Sequence, residues 1–183
     1  MSKRIATVDK SGLFIPVIVV DTREQEPYTF AGLKSDQVDG GHVMTVRCER
    51  RTLKSGDYSL SGFETRVAVE RKSLVDLFGT IGQGRDRFER ELERLSEYEF
   101  ATVMIESTWP EILSSPPVHS KLPPKTVLRS AIAWQQRYPN VHWFTAGTRR
   151  TAEGITLRIL ERFWKEAQTK VTADNLKPSE ATS

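Results

Sequence analysis

Apolar residues fall along this chain in two rhythms, short runs first and helix-spaced stripes later. The longest run is Leu-Phe-Ile-Pro-Val-Ile-Val-Val, over residues 13–20. It is too short to cross a membrane. Lys3 and Arg4 lie upstream, as before a signal peptide, but Asp21-Thr22-Arg23-Glu24 follows instead of a small-residue cleavage site. A buried strand over 17–21 is the reading that fits. Residues 1–12 are polar and read as a flexible leader. Residues 25–41, rich in Gly, Asp and Pro, read as a loop with room for a short helix. Strands are predicted over 42–51, over 56–62 after a Gly-Asp turn signal, and over 66–71, where Val67 and Val69 alternate with Ala68 and Glu70.

The period then changes. Leu74, Leu77, Phe78 and Ile81 share a helix face, and beyond the glycines at 79, 82 and 84 the stripe continues through Phe88, Leu92 and Leu95. Charges from Arg85 to Glu99 alternate in sign, as on a solvated outer face. Residues 100–105 are almost continuously apolar and predict a strand buried on both faces. A Pro- and Ser-rich connection occupies 110–124. A helix is predicted over 126–138, a strand over 141–144, and a helix over 154–168 with Leu160, Phe163 and Ala167 on one face. From residue 172 the chain reads as a disordered tail. The alternation predicts an α/β fold, a mixed central β-sheet flanked by helices, in one domain over 13–171.

Composition narrows the function classes without choosing one. The chain has 183 residues, 38% hydrophobic and 28% charged, an ordinary balance for a folded domain. A net charge of +3 permits nucleic-acid binding but does not demand it. The single cysteine, Cys48, excludes an internal disulfide, suits an intracellular protein, and is expected as a small core or strand residue. His42, His119 and His142 stand apart, without zinc spacing. Trp134, Trp143 and Trp164 are expected in the core and Trp109 in a loop.

Three acids fall at the ends of predicted strands: Asp21, Asp57 and Glu70. Lys72 lies two residues beyond Glu70, so the two side chains project to one face. Asp57 and Glu70 span two strands and a turn, a spacing that lets their carboxylates converge. Clustered carboxylates repel unless a cation intervenes. Mg2+ accepts such ligands, keeps several waters, and can polarise a phosphate.

The neighbouring residues sharpen this pattern. Gly56-Asp57-Tyr58, Val69-Glu70-Arg71-Lys72, Asp76 and Gly84-Arg85 occur in order, with Val20-Asp21-Thr22-Arg23-Glu24 upstream. The chain resembles, from about residue 17 to 168, the nuclease domain of the XPF family of structure-specific endonucleases, a branch of the PD-(D/E)XK superfamily. The resemblance implies a restriction-endonuclease-like sheet and Mg2+- or Mn2+-dependent cutting of DNA at branched, flap or fork structures. It makes Asp57, Glu70 and the Arg71 carbonyl metal ligands, with Asp21 in the acidic cluster, and Lys72 the catalytic lysine. Glu24 assists; Arg23 and Arg71 support the site or hold phosphate; Asp76 orients Arg71 or Lys72; Arg85 contacts the DNA backbone or braces the site.

The helix-hairpin-helix and helicase domains of many relatives would not fit in 183 residues, so the chain is expected to be a free-standing nuclease or a fragment of a longer one. The resemblance also implies a homodimer. Leu160, Phe163 and Trp164 are a candidate surface for it, unless that face packs on the sheet. Two other readings stay open: a non-catalytic DNA-binding partner subunit, and a resolvase, restriction-type or exonuclease activity on the same sheet. No membrane partner is expected. The protein would be cytoplasmic in a bacterium or phage, and nuclear in a eukaryote.

Overall fold

The computed structural model describes residues 6–8, 14–33 and 45–175. Its apolar runs pair into a mixed sheet built from β3 (Ile18–Asp21), β4 (Cys48–Arg51), β5 (Tyr58–Leu60), β6 (Val67–Lys72), β7 (Phe100–Ile105) and β8 (Val141–Thr145). The strand order is β4-β3-β5-β6-β7-β8. β3 runs parallel to β4, and β6, β7 and β8 run parallel to one another. β5 is antiparallel to both its neighbours. Within this sheet all strands but β5 therefore point the same way. Asp21, Lys72 and Ile105 end on one edge, where β5 begins. In open α/β sheets that edge is where ligands bind.

Side-chain alternation divides the interior into two cores. Val20, Tyr58, Val67, Val69 and Met104 face Leu157 and Leu160 of helix α5 (Arg149–Asn175). Ala68, Ala101, Val103 and Ile105 turn the other way. They meet α1 (Leu74–Ile81), α2 (Arg85–Ser96) and, through Val127 and Trp134, the later helix α4 (Pro124–Arg137). Each large side chain buried here contributes roughly 1.5–3 kcal/mol. Trp134 is 1% exposed, and its indole N–H donates to Glu89 Oε1 at 2.9 Å.

Several expectations need correcting. The helical stripe after residue 74 is two helices: Ser73 caps α1, and the chain breaks over residues 82–84 before α2. The connection over 110–124 contains α3 (Trp109–Ser114), so Trp109 opens a helix. Its signal is a capping box, with Thr108 and Glu111 each bonding the other's backbone. α5 begins at Arg149, five residues early, because Thr148 Oγ1 accepts the Thr151 N–H at 3.1 Å. Residues 6–8 form β1 (Ala6–Val8), paired with β2 (Phe14–Pro16), where a loose leader was expected. The rest of residues 1–12 lies outside the described residues. α5 runs through residue 175, past the expected start of the tail; residues 176–183 are outside the described residues. The strand expected over 42–51 is confined to β4; residues 42–44 are outside the described residues. Cys48 opens β4, the strand position that was one of the two expected for it, and is exposed. Leu160 is fully buried against the sheet and Phe163 packs edge-on to Phe63, so this face covers the core. Among the described residues no helix is long and apolar enough to cross a membrane.

Candidate active site

Tyr58 on β5 pairs with Val69 on β6, and both enter the core beneath α5. One step along each strand, Asp57 and Glu70 turn to the opposite face, and Lys72 follows Glu70 there. Lys72 Nζ lies 2.7 Å from Glu70 Oε1 and 4.7 Å from the centroid of the Phe88 ring on α2. Asp57 Oδ2 accepts the Arg71 N–H at 2.8 Å. Asp57, Glu70 and Lys72 line an open cleft of about 810 Å3, with Arg23, Asp76, Thr80 and Arg87 around it.

The turn before Asp57 is held from two sides. Gly56 has φ +78°, and a Cβ there would sit 3.0 Å from Ala68 Cβ and 3.3 Å from the Val69 carbonyl oxygen. Only glycine avoids both the backbone strain and the close approach. The Gly56 N–H donates to Glu91 Oε1 at 3.0 Å. Arg94 Nε donates to Ser55 Oγ at 3.1 Å, and Arg94 also pairs with Glu91. Thus α2 fastens the segment that delivers Asp57.

Burial, reinforced by the neighbouring Glu70 carboxylate, pushes the Asp57 pKa well above the usual carboxylate range, although the Arg71 N–H and Lys72 pull against it. Burial alone would lower the Lys72 pKa. Glu70, Asp57 and Asp76 outweigh it and hold Lys72 cationic.

Arg71, between Glu70 and Lys72, points to the other face. Its Nε lies 2.8 Å from Glu106 Oε1, its Nη1 lies 3.4 Å from Glu24 Oε1, and its guanidinium is 5.8 Å from the Tyr28 ring centroid. The side chains of Arg71, Glu24 and Glu106 are only 7%, 7% and 8% exposed. Arg149, at the start of α5, also reaches Glu106, at 3.0 Å. Burial works against the Arg71 charge, but Glu106 and Glu24 outweigh it.

The remaining expected residues divide. Asp21 is buried beneath the cleft rim, and its carboxylate is already engaged. It accepts the Arg23 N–H and Nε–H at 2.7 Å each, Arg23 Nη2 at 3.1 Å, and the Leu53 N–H at 2.7 Å. Burial would raise its pKa, yet these donors hold it below the usual value. Asp21 therefore braces Arg23, whose side chain is 67% exposed at the rim. Glu24 accompanies Arg71. Asp76 closes the start of α1, accepting the Ser73 hydroxyl at 2.6 Å, and borders the cleft. Arg85 is turned away. It donates to Ser130 Oγ at 2.8 Å, pairs with Glu89 at 3.3 Å and stacks 4.8 Å from a Trp134 ring. Sequence reasoning missed Glu91, Arg94, Glu106 and Arg149, which position the site, and Arg87, which lines it. Arg87, Glu91 and Arg94 lay hidden in a stretch whose alternating charges read as solvated surface.

Among the described residues no three His, Cys, Asp or Glu side chains converge as a metal cage. The chain offers two carboxylates, Asp57 and Glu70. The odd-numbered carbonyls of β6 turn toward β5, as Val69 shows by accepting the Asp57 N–H at 2.9 Å. The same alternation aims the Arg71 carbonyl past the start of β5, near Asp57. This partial oxygen set fits a hard divalent cation that keeps several waters. It also fits the crowding of Asp57 and Glu70, which a cation would relieve.

A family model described as "ERCC4 domain" matches residues 20–156, a span containing Asp57, Glu70 and Lys72. Among solved structures, "XPF from Aeropyrum pernix" superposes with a TM-score of 0.57 at 19% identity, over 81% of this chain and 61% of that one. "XPF from Aeropyrum pernix, complex with DNA" superposes with a TM-score of 0.55 at 19% identity, over 83% of this chain and 66% of that one. The chain thus spans less than two thirds of either structure's chain, and at that identity the likeness is one of fold. No curated protein matches the chain.

Proposed function

The chain belongs to the ERCC4 domain family, and on that premise we propose that it is a divalent-metal-dependent DNA endonuclease cutting at branched, flap or fork structures. The observation that carries this reading is the gathering of Asp57, Glu70 and Lys72 on one face of the sheet edge, at one cleft. That the second XPF structure is a complex with DNA supports DNA as the substrate.

Asp57, Glu70 and the Arg71 carbonyl would hold Mg2+ or Mn2+, which when bound polarises the scissile phosphate and lowers the pKa of a water. The Arg71 N–H aims the Asp57 carboxylate. Lys72, desolvated and cationic, offsets the charge that develops on the phosphate as the water oxygen bonds to phosphorus and the ester bond breaks. Glu70 and the Phe88 ring keep its ammonium in place. Arg23, held by Asp21, offers its exposed guanidinium to the DNA backbone, for which a planar fork of donors is well suited. A homodimer remains part of this proposal.

The test uses end-labelled single-stranded, duplex, 3′-flap and fork DNAs with Mg2+ or Mn2+, and EDTA as control. Metal-dependent cutting at the flap or fork is expected. Asp57→Ala and Lys72→Ala should each lose at least about 10²-fold in rate while still binding DNA. Cutting that persists in both variants would overturn the assignment of the site. Plain duplex cut as readily as a flap would overturn the structure preference. A folded protein that binds DNA but cuts nothing would favour a non-catalytic subunit.

A further inference from the structure

We propose that Arg87 holds a phosphate of the strand being cut, beside Asp57 and Glu70, in the place that sequence resemblance gives to Arg85. The inference rests on the nuclease reading and adds a substrate contact to it. The other cations around the site each have an acidic partner: Lys72 has Glu70 at 2.7 Å, Arg23 has Asp21 at 2.7 Å and is held at the rim by it although exposed, Arg71 has Glu106 at 2.8 Å, and Arg94 has Glu91. Arg85 faces Ser130, Glu89 and Trp134 instead of the cleft.

Arg87 differs from all of these. It is exposed, and it lines both the main cleft and an adjoining hollow of about 240 Å3. Asp57, Glu70, Lys72, Thr80 and Arg23 border both spaces as well, so Arg87 stands where the two meet the acidic pair. Among the described residues no ion pair or hydrogen bond engages its guanidinium. Its location does not serve the helix either, because a cation in the first turn of α2 opposes the helix dipole. A DNA strand entering this space brings its phosphates toward two carboxylates. An uncommitted guanidinium offsets that repulsion and can take a phosphate with two parallel hydrogen bonds.

The experiment compares wild type with Arg87→Ala, Arg87→Lys and Arg90→Ala. Arg90 is exposed on the same helix but lines neither space. Flap-DNA affinity is measured across a salt series with Ca2+ replacing Mg2+, KM and kcat are measured with Mg2+, and thermal melts check folding. Arg87→Ala should weaken affinity about tenfold or more. It should also reduce the slope of log affinity against log salt by about one, with the melt unchanged. Arg87→Lys should recover the slope but only part of the rate, because the ammonium lacks the fork. Arg90→Ala should keep the wild-type slope. An unchanged slope and KM in Arg87→Ala, with the wild type cutting normally, would overturn this proposal alone. An equal loss in Arg90→Ala would also overturn it, since it would show diffuse attraction. A wild-type protein that neither binds nor cuts DNA would overturn the nuclease reading and this proposal with it.

Discussion

Arg71 contributes to the molecule in two opposite directions. Its backbone N–H orients Asp57, while its guanidinium joins Glu24 and Glu106 on the far face. Arg71→Ala would leave the Glu24 carboxylate with only the Glu26 N–H among its described donors. Breaking such a buried pair costs about 3–5 kcal/mol, and here Arg149 remains on Glu106 to limit the loss. A clearly lower urea midpoint is expected for the variant; a wild-type midpoint would contradict the account. Asp57 should behave in the opposite sense. Asp57→Asn keeps an acceptor for the Arg71 N–H but removes an ionisable group whose charged form is opposed by burial and by Glu70. In EDTA the variant should melt at least as high as wild type, by about 2–4 °C if the relief is near 1 kcal/mol. It should lose any rise that Mg2+ gives the wild type. A lower melt in EDTA would show that the carboxylate stabilises the fold. At this scale, residue types and spacing made the approach of Asp57, Glu70 and Lys72 legible, because alternation in a strand is strict. Asp21 carried the same outward signal, an acid at a strand end. Its different situation depends on Arg23 and Leu53 folding back onto it, which no local pattern encodes.

The turn into β5 is the element on which the site hangs. Gly56→Ala would force a side chain into the left-handed region and against Ala68. We expect a loss of about 1–3 kcal/mol from strain, read by urea denaturation, and a drop in cleavage at saturating metal because Asp57 shifts with the backbone. A variant of full stability and activity would show that the close approach is relieved cheaply. Strands β3 and β7 were legible because their apolar runs leave little else to form, and β6 because Val67 and Val69 alternate with Ala68 and Glu70. α3 was not, since prolines and serines around it read as a connection and its start rests on one capping box. The early start of α5 was missed because its first turn shows solvent mostly Arg and Thr, with Ala152 alone reaching the core.

For the molecule as a whole, the match to the family ends at residue 156, but the fold does not. Leu157, Leu160 and Ala167 fill the core on the α5 side of the sheet. A chain ending at Thr156 would keep Asp57, Glu70, Lys72 and Arg87 and lose that packing. Removing even one buried leucine side chain from a packed core costs about 2–5 kcal/mol, cavity included, against a total stability of about 5–15 kcal/mol. Such a truncation should give a circular dichroism spectrum without a cooperative melt. A cooperative melt would show that the α2 side of the sheet suffices alone. The α/β class and the mixed sheet were readable from the change of hydrophobic period. The direction of β5 was not, because polarity within a sheet is set by which strands find each other.

The alternation of Glu70, Arg71 and Lys72 between the two faces also determines how this chain tolerates variation. With Glu70 and Lys72 in the proposed catalytic roles, substitutions at three adjacent positions should fail for different reasons. In a saturation library over them, changes at positions 70 and 72 should yield protein that is abundant and inert. Changes at position 71 should be depleted at the level of soluble yield, before activity is ever measured. A growth-based screen would score all three as equally intolerant; scoring abundance alongside activity would separate them.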